Sequence, residues 1–396
     1  MTSTMDNRIS SVLKGMGAAC IVLALLFIAT PLAAEELASP TYGYAIDLPE
    51  GCQLSDRDAD STSYIFASTV LPVNTAIKVY RNKQYKTALD ALNTTLNKLG
   101  ADGDSEAVEW RNQTGAVASF TMTISSVKQT GWGAAAILPD NKGMIVMFTW
   151  CPTENADACN PYMISILDSL CIDRGSYYES GIMTTYAYPK TSKATKVTLT
   201  IDGKKIETQL DSTDSEAAKF VIDREYSILL LYTKSTLWKE AWLRYYRMIF
   251  RDNFNRMQRP AFDIYNALAP ECSDETDLAQ KLLTWTQGFE FERAAKETDS
   301  DFTSLPDVLL GKGNDCDSRS MLITVLLQNM NIDSIFFISA EYSHAVAGLI
   351  SAHPGQSFAV GDKNYLIGET TAKGLTWGKV AQDMADRTKW FEVTYP

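Results

Sequence analysis

The sequence predicts an α+β protein built as two domains, and three observations carry that expectation. The chain has 396 residues, at roughly 100–200 residues per domain. Hydrophobic residues make up 45% and charged residues 21%, so there is material for real cores. The pattern also changes along the chain. Short alternating segments dominate to about residue 173, helical spacing takes over near residue 235, and strands return near residue 334.

The first 34 residues read as a secretory signal peptide. Arg8 and Lys14 form a weak basic start, residues 18–29 (AACIVLALLFIA) are apolar, and Pro31-Leu32-Ala33-Ala34 supplies a break and small residues for cleavage near Ala34. The same stretch, if uncleaved, would be an N-terminal anchor, although it is short for a full span. Cys20 precedes most of the apolar run, which argues against a lipid-modified cysteine. The expected location is therefore secreted, periplasmic or cell-envelope.

From residue 38 to about 173 the elements follow in order. Tyr44-Ala45-Ile46-Asp47-Leu48 alternates and ends at Pro49-Glu50-Gly51, a strand and a turn. Strands are expected at 63–69 and 75–80. Residues 88–99 carry Leu89, Leu92, Leu96 and Leu99 at helical spacing. Strands at 106–111, 116–124, 131–138 and 143–150 follow, and a helix at 162–171 closes the domain. The opening YGYAIDLPEG and this order of elements resemble the PsbP-like family of small α/β/α domains. The resemblance implies a binding or structural module. The segment contains no histidine, and Trp110, Trp132 and Trp150 read as core or hairpin residues.

Residues 174–235 read as a β-rich linker element. TKVTLTI (195–201), Asp202-Gly203 and KKIETQL (204–210) form a hairpin around a D-G turn. Residues 211–216 read as a solvated acidic loop, and 219–223 and 226–232 as further strands. From 236 to 396 a second domain is expected. Its first helix, 236–257, places Trp238, Trp242, Tyr245, Tyr246 and Ile249 on an amphipathic core face. Pro260 interrupts it, 261–268 resumes, and 274–295 carries Leu278, Leu282, Trp285 and Phe289 at helical spacing.

The chemistry-bearing residues lie in that domain. Asn314 and Asp315 are good helix caps, so Cys316 stands in the first turn of a helix running to about Met330. Free N–H groups and the macrodipole there favour an anion, which lowers a thiol pKa. The whole chain has two histidines. His344 opens an apolar strand 28 residues after Cys316, whereas His353 sits in a Ser-Ala-His-Pro-Gly surface turn. A helix-start cysteine followed by a strand-start histidine is the arrangement of a thiol nucleophile and its base. The next strand, 364–369, ends at Glu369, which an antiparallel neighbour can bring beside His344.

LPDVLLGKGNDCDSRSMLITVLLQNMNIDS, then SHAVAGL, then NYLIGETT resemble the transglutaminase-like superfamily over about 274–380. The resemblance implies a papain-like core: a helix bearing Cys316 packed on an antiparallel sheet bearing His344 and the acid. By position it implies Cys316 as nucleophile, His344 as general base and acid, and Glu369 as the orienting carboxylate. Many members carry Asp where this chain has Glu369-Thr370-Thr371. It also implies Gln287, in TWTQGFEFE, as an oxyanion donor alongside the backbone N–H of Cys316. The expected function is a cysteine hydrolase of protease or amidase type acting on peptide or protein amides. Amine cross-linking by acyl transfer, and a non-catalytic envelope protein on the same scaffold, stand as alternatives.

Other classes are disfavoured. The net charge of −12 supplies no basic stripe for nucleic acid. Gly311 and Gly313 lead to Cys316, not to the Lys-Ser/Thr of a phosphate loop. The acidic clusters at 211–216 and 297–301 lack calcium-loop spacing, so neither metal nor cofactor is expected. Of seven cysteines, Cys151 and Cys159 flank a short polar loop and are the best-placed pair for a bridge in an exported chain.

Overall fold

A computed structural model of the chain describes residues 37–81, 84–191, 193–290, 299–312 and 315–395. The segment read as a signal peptide lies outside the described residues, as do Gly313 and Asn314. The chain is mixed α+β with antiparallel sheets and divides into two compact units. One comprises the described residues up to Ala187 with Ser227–Arg244; the other comprises Tyr188–Tyr226 with the described residues from Tyr245 onward. Among the described residues no helix is long and apolar enough to cross a membrane.

The first unit runs β1 (Leu37–Ala38), β2 (Ala45–Ile46), β3 (Cys52–Arg57), β4 (Ser63–Ser68), β5 (Asn74–Tyr80), α1 (Ala88–Leu99), β6 (Asp102–Trp110), β7 (Gln113–Ile124), β8 (Val127–Leu138), β9 (Gly143–Pro152), α2 (Ala156–Asp168), β10 (Leu170–Cys171) and α3 (Ile182–Ala187). Strands β3 to β9 form one antiparallel sheet in the order β3-β4-β5-β9-β8-β7-β6. The period of two along β9 sorts its core. Ile145, Met147 and Cys151 share a cluster with Tyr162, Met163, Ile166 and Leu167 of α2. Val146, Phe148 and Trp150 share another with Ala88, Ala91, Leu92 and Leu96 of α1. The unit is therefore helix on sheet on helix. Helix α1 begins at Thr87, whose side chain accepts the Asp90 N–H, and ends at Gly100 in the left-handed region (φ 66°).

Three local expectations change here. Strand β3 was not anticipated, because its CQLSDR sequence alternates weakly and is mostly solvent-facing. Helix α2 starts at Ala156, upstream of Pro161, not after it. Cys151 and Cys159 are both fully buried and meet as a hydrogen-bonded pair of free thiols, not as a bridge.

The second unit opens with β11 (Ala194–Ile201) and β12 (Lys204–Asp211), paired in register around Asp202 (φ 50°) and Gly203 (φ 74°). Two successive left-handed residues match the twist of a two-residue hairpin, which is why Asp-Gly serves there. The strand expected at 219–223 and residues 226–230 of the one expected at 226–232 lie instead in a helix, α4 (Asp214–Leu230), with Leu231 and Tyr232 in the turn that follows. Val221-Ile222 and Ile228 suggested strands locally, but Ala217, Ala218, Val221, Ile222 and Glu225 are buried at three- and four-residue spacing. The expected solvated loop is likewise overturned at Asp214, which is buried and accepts Arg256 Nη1 at 2.8 Å.

The unit continues through α5 (Trp238–Arg256), which enters it at Tyr245, then α6 (Gln258–Leu268), α7 (Glu275–Gln287), α8 (Leu305–Leu309) and α9 (Cys316–Asn329). Strands β13 (Ser334–Ser339), β14 (His344–Ile350), β15 (Ser357–Val360), β16 (Lys363–Gly368) and β17 (Phe391–Val393) form an antiparallel sheet in the order β15-β16-β14-β13-β17. Helix α9 packs on β13 and β14 and is buried almost all round. Such a helix is a core element, and its N-terminus is fixed by its surroundings.

Candidate active site

Cys316 is the first residue of α9. Asp315 caps the helix in extended backbone, and its carboxylate accepts the Ser318 N–H at 3.2 Å and the Ser318 hydroxyl at 2.8 Å. The cap holds the first turn, and the sulfur comes to rest against β14, where the Ala345 N–H donates to it. Cys316 is 6% exposed. Its thiol donates to Asp317 Oδ1 at 3.4 Å.

His344 opens β14 after a four-residue loop from Ser339, its partner in β13. The residue before it, Ser343, has φ 47°, a left-handed conformation that a non-glycine adopts at a cost of about 1 kcal/mol. Strands β14 and β16 pair through Ala347↔Gly368. Extending that register by one step puts Glu369 opposite Val346, on the same face as His344. The contact is close: His344 Nε2 lies 2.7 Å from Glu369 Oε2. Glu369 Oε1 accepts the Thr371 N–H at 2.7 Å and the Thr371 hydroxyl at 2.6 Å. Burial opposes ionisation of Glu369, but these hydrogen bonds and the facing imidazole hold its carboxyl below the ordinary value. The ring of Trp390 lies edge-on to the imidazole, centroids 6.3 Å apart.

The expected acidic thiol is not found. Burial first, then the charge of Asp317 and that of Asp315 once it ionises, push the Cys316 thiol well above its ordinary range; the Ala345 N–H opposes this only in part. A helix terminus contributes about 0.3–1 kcal/mol, less than one pKa unit, and the burial and two carboxylates outweigh it.

Gln287 lies at the end of α7 but not as an oxyanion donor. Both of its amide N–H groups are committed, to Glu369 O at 2.8 Å and Leu375 O at 3.1 Å, while its Oε1 accepts the Gly374 N–H at 3.1 Å. That pattern fixes the amide orientation and makes Gln287 a brace for the loop that carries Glu369. Arg319, 1% exposed, braces the same region through Thr286 O, Phe289 O and Thr370 O. Ser320 bonds both Thr370 Oγ1 at 3.0 Å and Ala345 O at 3.3 Å, joining helix, histidine strand and acid loop.

The sequence pattern gave no sign of Arg319 and Ser320 as braces, nor of Tyr246, whose hydroxyl donates to Asp317 Oδ2 at 2.5 Å. A tyrosine on an aromatic helix face reads as core, and Tyr246 is core except at its oxygen. His353 is exposed, paired with Asp274 at 2.8 Å. Among the described residues no group of three or more histidine, cysteine or acidic side chains could hold a metal.

No protein-family model matches the chain, and no curated protein does. Some solved structures do, at low overlap. CyanoP, the PsbP of Synechocystis sp. PCC 6803, is 13% identical over 39% of this chain and 97% of its own, with a TM-score of 0.29. The Ran-binding protein Mog1p of Saccharomyces cerevisiae is 9% identical over 36% of this chain and 96% of its own, with a TM-score of 0.28. A Bacteroides thetaiotaomicron protein is 11% identical over 80% and 87%, with a TM-score of 0.24. The first is a weak PsbP-like structural resemblance, and the transglutaminase-like reading draws nothing from these matches.

Proposed function

We propose that this protein is an exported, cysteine-dependent hydrolase of the transglutaminase-like, papain-type class, cleaving peptide or protein amide bonds through a thioester. The observation that carries the reading is the 2.7 Å contact between His344 Nε2 and Glu369 Oε2 on the strand whose Ala345 N–H meets the Cys316 sulfur. Export rests on the apolar stretch at 18–29 and the small residues before Glu35.

Geometry and charge support the following roles. Glu369 is ionised and fixes the imidazole through Nε2, which leaves Nδ1 as the nitrogen for proton transfer. Nδ1 takes the thiol proton as the sulfur attacks the amide carbonyl. The tetrahedral intermediate collapses as the same proton passes to the departing amine, and the C–N bond breaks. Water, deprotonated by His344, then attacks the thioester; the acid leaves and the thiol is restored. With Gln287 committed elsewhere, the backbone N–H of Cys316 at the helix start is the candidate oxyanion donor. An amine in place of water gives cross-linking by the same thioester.

The non-catalytic alternative is favoured by one observation, the low exposure and raised pKa of the Cys316 thiol. An electrophilic amide-mimic probe, read by mass spectrometry of the full chain, separates the two. The cysteine-hydrolase reading expects one adduct, on Cys316, formed about 10³-fold more slowly in His344→Ala. Equal labelling of Cys316 in both proteins overturns it.

A further inference from the structure

The thiol of Cys316 has one proton, and that proton is directed at a carboxylate. Cys316 Sγ donates to Asp317 Oδ1 at 3.4 Å, while Asp317 Oδ2 accepts the Tyr246 hydroxyl at 2.5 Å. Tyr246 comes from α5, is 3% exposed, and is wedged against Phe302 and Phe336. Its oxygen therefore cannot swing away without disturbing the core, and it holds the carboxylate in place. On the other side of the cysteine, Asp315 is 3% exposed and hydrogen-bonded to the carboxyl of Asp317. Two carboxyls can share a hydrogen bond only if one keeps a proton. Burial, then the charge of Asp317, pushes Asp315 up to about 9, so the shared proton is placed on Asp315. Arg319 on α9 also faces the thiol; Tyr245 on α5 faces Asp315 and Asp317, and His344 on β14 is paired with Glu369 beyond β16.

We propose that Asp317, clamped by the Tyr246 hydroxyl, is a positioning residue that holds Cys316 as a neutral thiol with its proton turned from His344 in the resting protein. One S–H cannot donate to two acceptors, so Asp317 competes with the imidazole. Attack requires the S–H···Asp317 bond to break and the proton to pass from sulfur to His344 Nδ1; Asp317 keeps its charge and its tyrosine throughout. The resting state is then a thiol awaiting substrate, not a thiolate–imidazolium pair. This gives regulation to the site proposed above and rests on that reading for its catalytic meaning.

The test is the pH dependence of Cys316 alkylation by iodoacetamide in the full chain, from about pH 5 to about pH 11, followed by peptide mass spectrometry. The native protein is expected to alkylate with an inflection above the ordinary thiol value. Asp317→Asn, which keeps the shape and removes the charge, is expected to lower the inflection by about one unit and speed alkylation at neutral pH about tenfold. Tyr246→Phe, which leaves the carboxylate without its donor, is expected to move it the opposite way and carries the test if the asparagine variant does not fold. Coincident inflections in the native and variant proteins, or a native inflection below the ordinary thiol value, overturn the inference. His344→Ala separates the two claims: an amide-mimic probe that labels it as fast as the native chain removes the hydrolase reading, while the Asp317→Asn shift in alkylation stands or falls by itself.

Discussion

The cysteines of the first unit and Cys316 of the second share one property and differ in another. Burial pushes Cys52 up to about 11 and Cys151 up to about 12, and it is also the largest cause of the rise at Cys316. Resting acidity therefore does not set Cys316 apart from the other thiols. Its neighbours do. Cys52 faces the Tyr162 hydroxyl, which itself bonds Ser68 at 2.9 Å. Cys151 and Cys159 face each other between sheet and helix. Cys316 hydrogen-bonds a carboxyl side chain, Asp317, and meets the strand that carries an imidazole–carboxylate pair.

Buried carboxylates repeat the contrast, and exchanging them is the sharpest way to break it. Asp168 of the first unit accepts the Met183 and Thr184 N–H groups and the Thr184 hydroxyl, so it caps α3. Glu369 holds an imidazole. Glu369→Gln is expected to lower probe acylation of Cys316 by about 10²–10³-fold with a melting curve little changed at neutral pH. Asp168→Ala is expected to leave acylation intact and cost about 2–3 kcal/mol in denaturant unfolding. The acid limb of stability also separates them. The folded pKa of Glu369 is lowered, so its contribution is complete above the unfolded value near 4.5 and is lost as pH falls through the folded value. Unfolding curves of Glu369→Gln are expected to lose that part of the acid dependence. Equal acid limbs in native and variant chains break the assignment.

The thiol pair of the first unit gives the next effect. Mild oxidation is expected to link Cys151 to Cys159, found by non-reducing peptide mapping, and to stabilise the unit by about 2–3 kcal/mol for so short a loop. Cys316 is expected to remain unlinked, since none of the hydrogen-bond partners described for its sulfur is a second thiol. A mixed product containing Cys316 breaks the contrast between the structural and the proposed reactive thiols.

What the sequence made legible, and what it hid, follows the range of the physical signal. The starts of strand β14 and helix α9 were readable to the residue, because a cap, an apolar run and a histidine all fall within a few positions. The meeting of His344 with Glu369 was readable because both stand at strand ends and neighbouring antiparallel strands bring such ends together. Helix α4 was misread because Val221-Ile222 satisfies a period of two over a short window; burial at 217, 218, 221, 222 and 225 shows itself only over three turns. The Tyr246–Asp317 bond spans 71 residues and leaves no periodic trace. Gln287 was readable as important but not as to its task, since an amide can serve an oxyanion or brace a loop, and only its partners decide.

Asp315 and Ser343 give the smaller effects. Asp315 has a raised folded pKa, so between its ordinary value of 3.8 and about 9 the folded chain holds a proton that the unfolded chain releases. Stability contributed at this site therefore falls as pH rises through that window. Asparagine caps a helix as well as aspartate and needs no proton, so Asp315→Asn is expected to gain on the order of 1 kcal/mol at pH 8 relative to pH 5. A gain that is the same at both pH values means the Asp315–Asp317 pair does not share a proton.

Ser343→Gly is expected to change stability least. At two hairpin turns of the first unit left-handed residues come in pairs: Arg111-Asn112 joins β6 to β7, and Ser125-Ser126 joins β7 to β8. There the strain serves the twist of the strands. Ser343 stands singly before His344. Glycine removes a steric cost of about 1 kcal/mol but loosens the unfolded and folded chain alike, so the net gain in thermal unfolding is expected to stay below about 1 kcal/mol. Acylation at His344-dependent rates is the discriminating readout. A fall in rate without a fall in stability would show that the left-handed serine orients the imidazole; unchanged rates would make Ser343 one more hairpin residue, like Ser125.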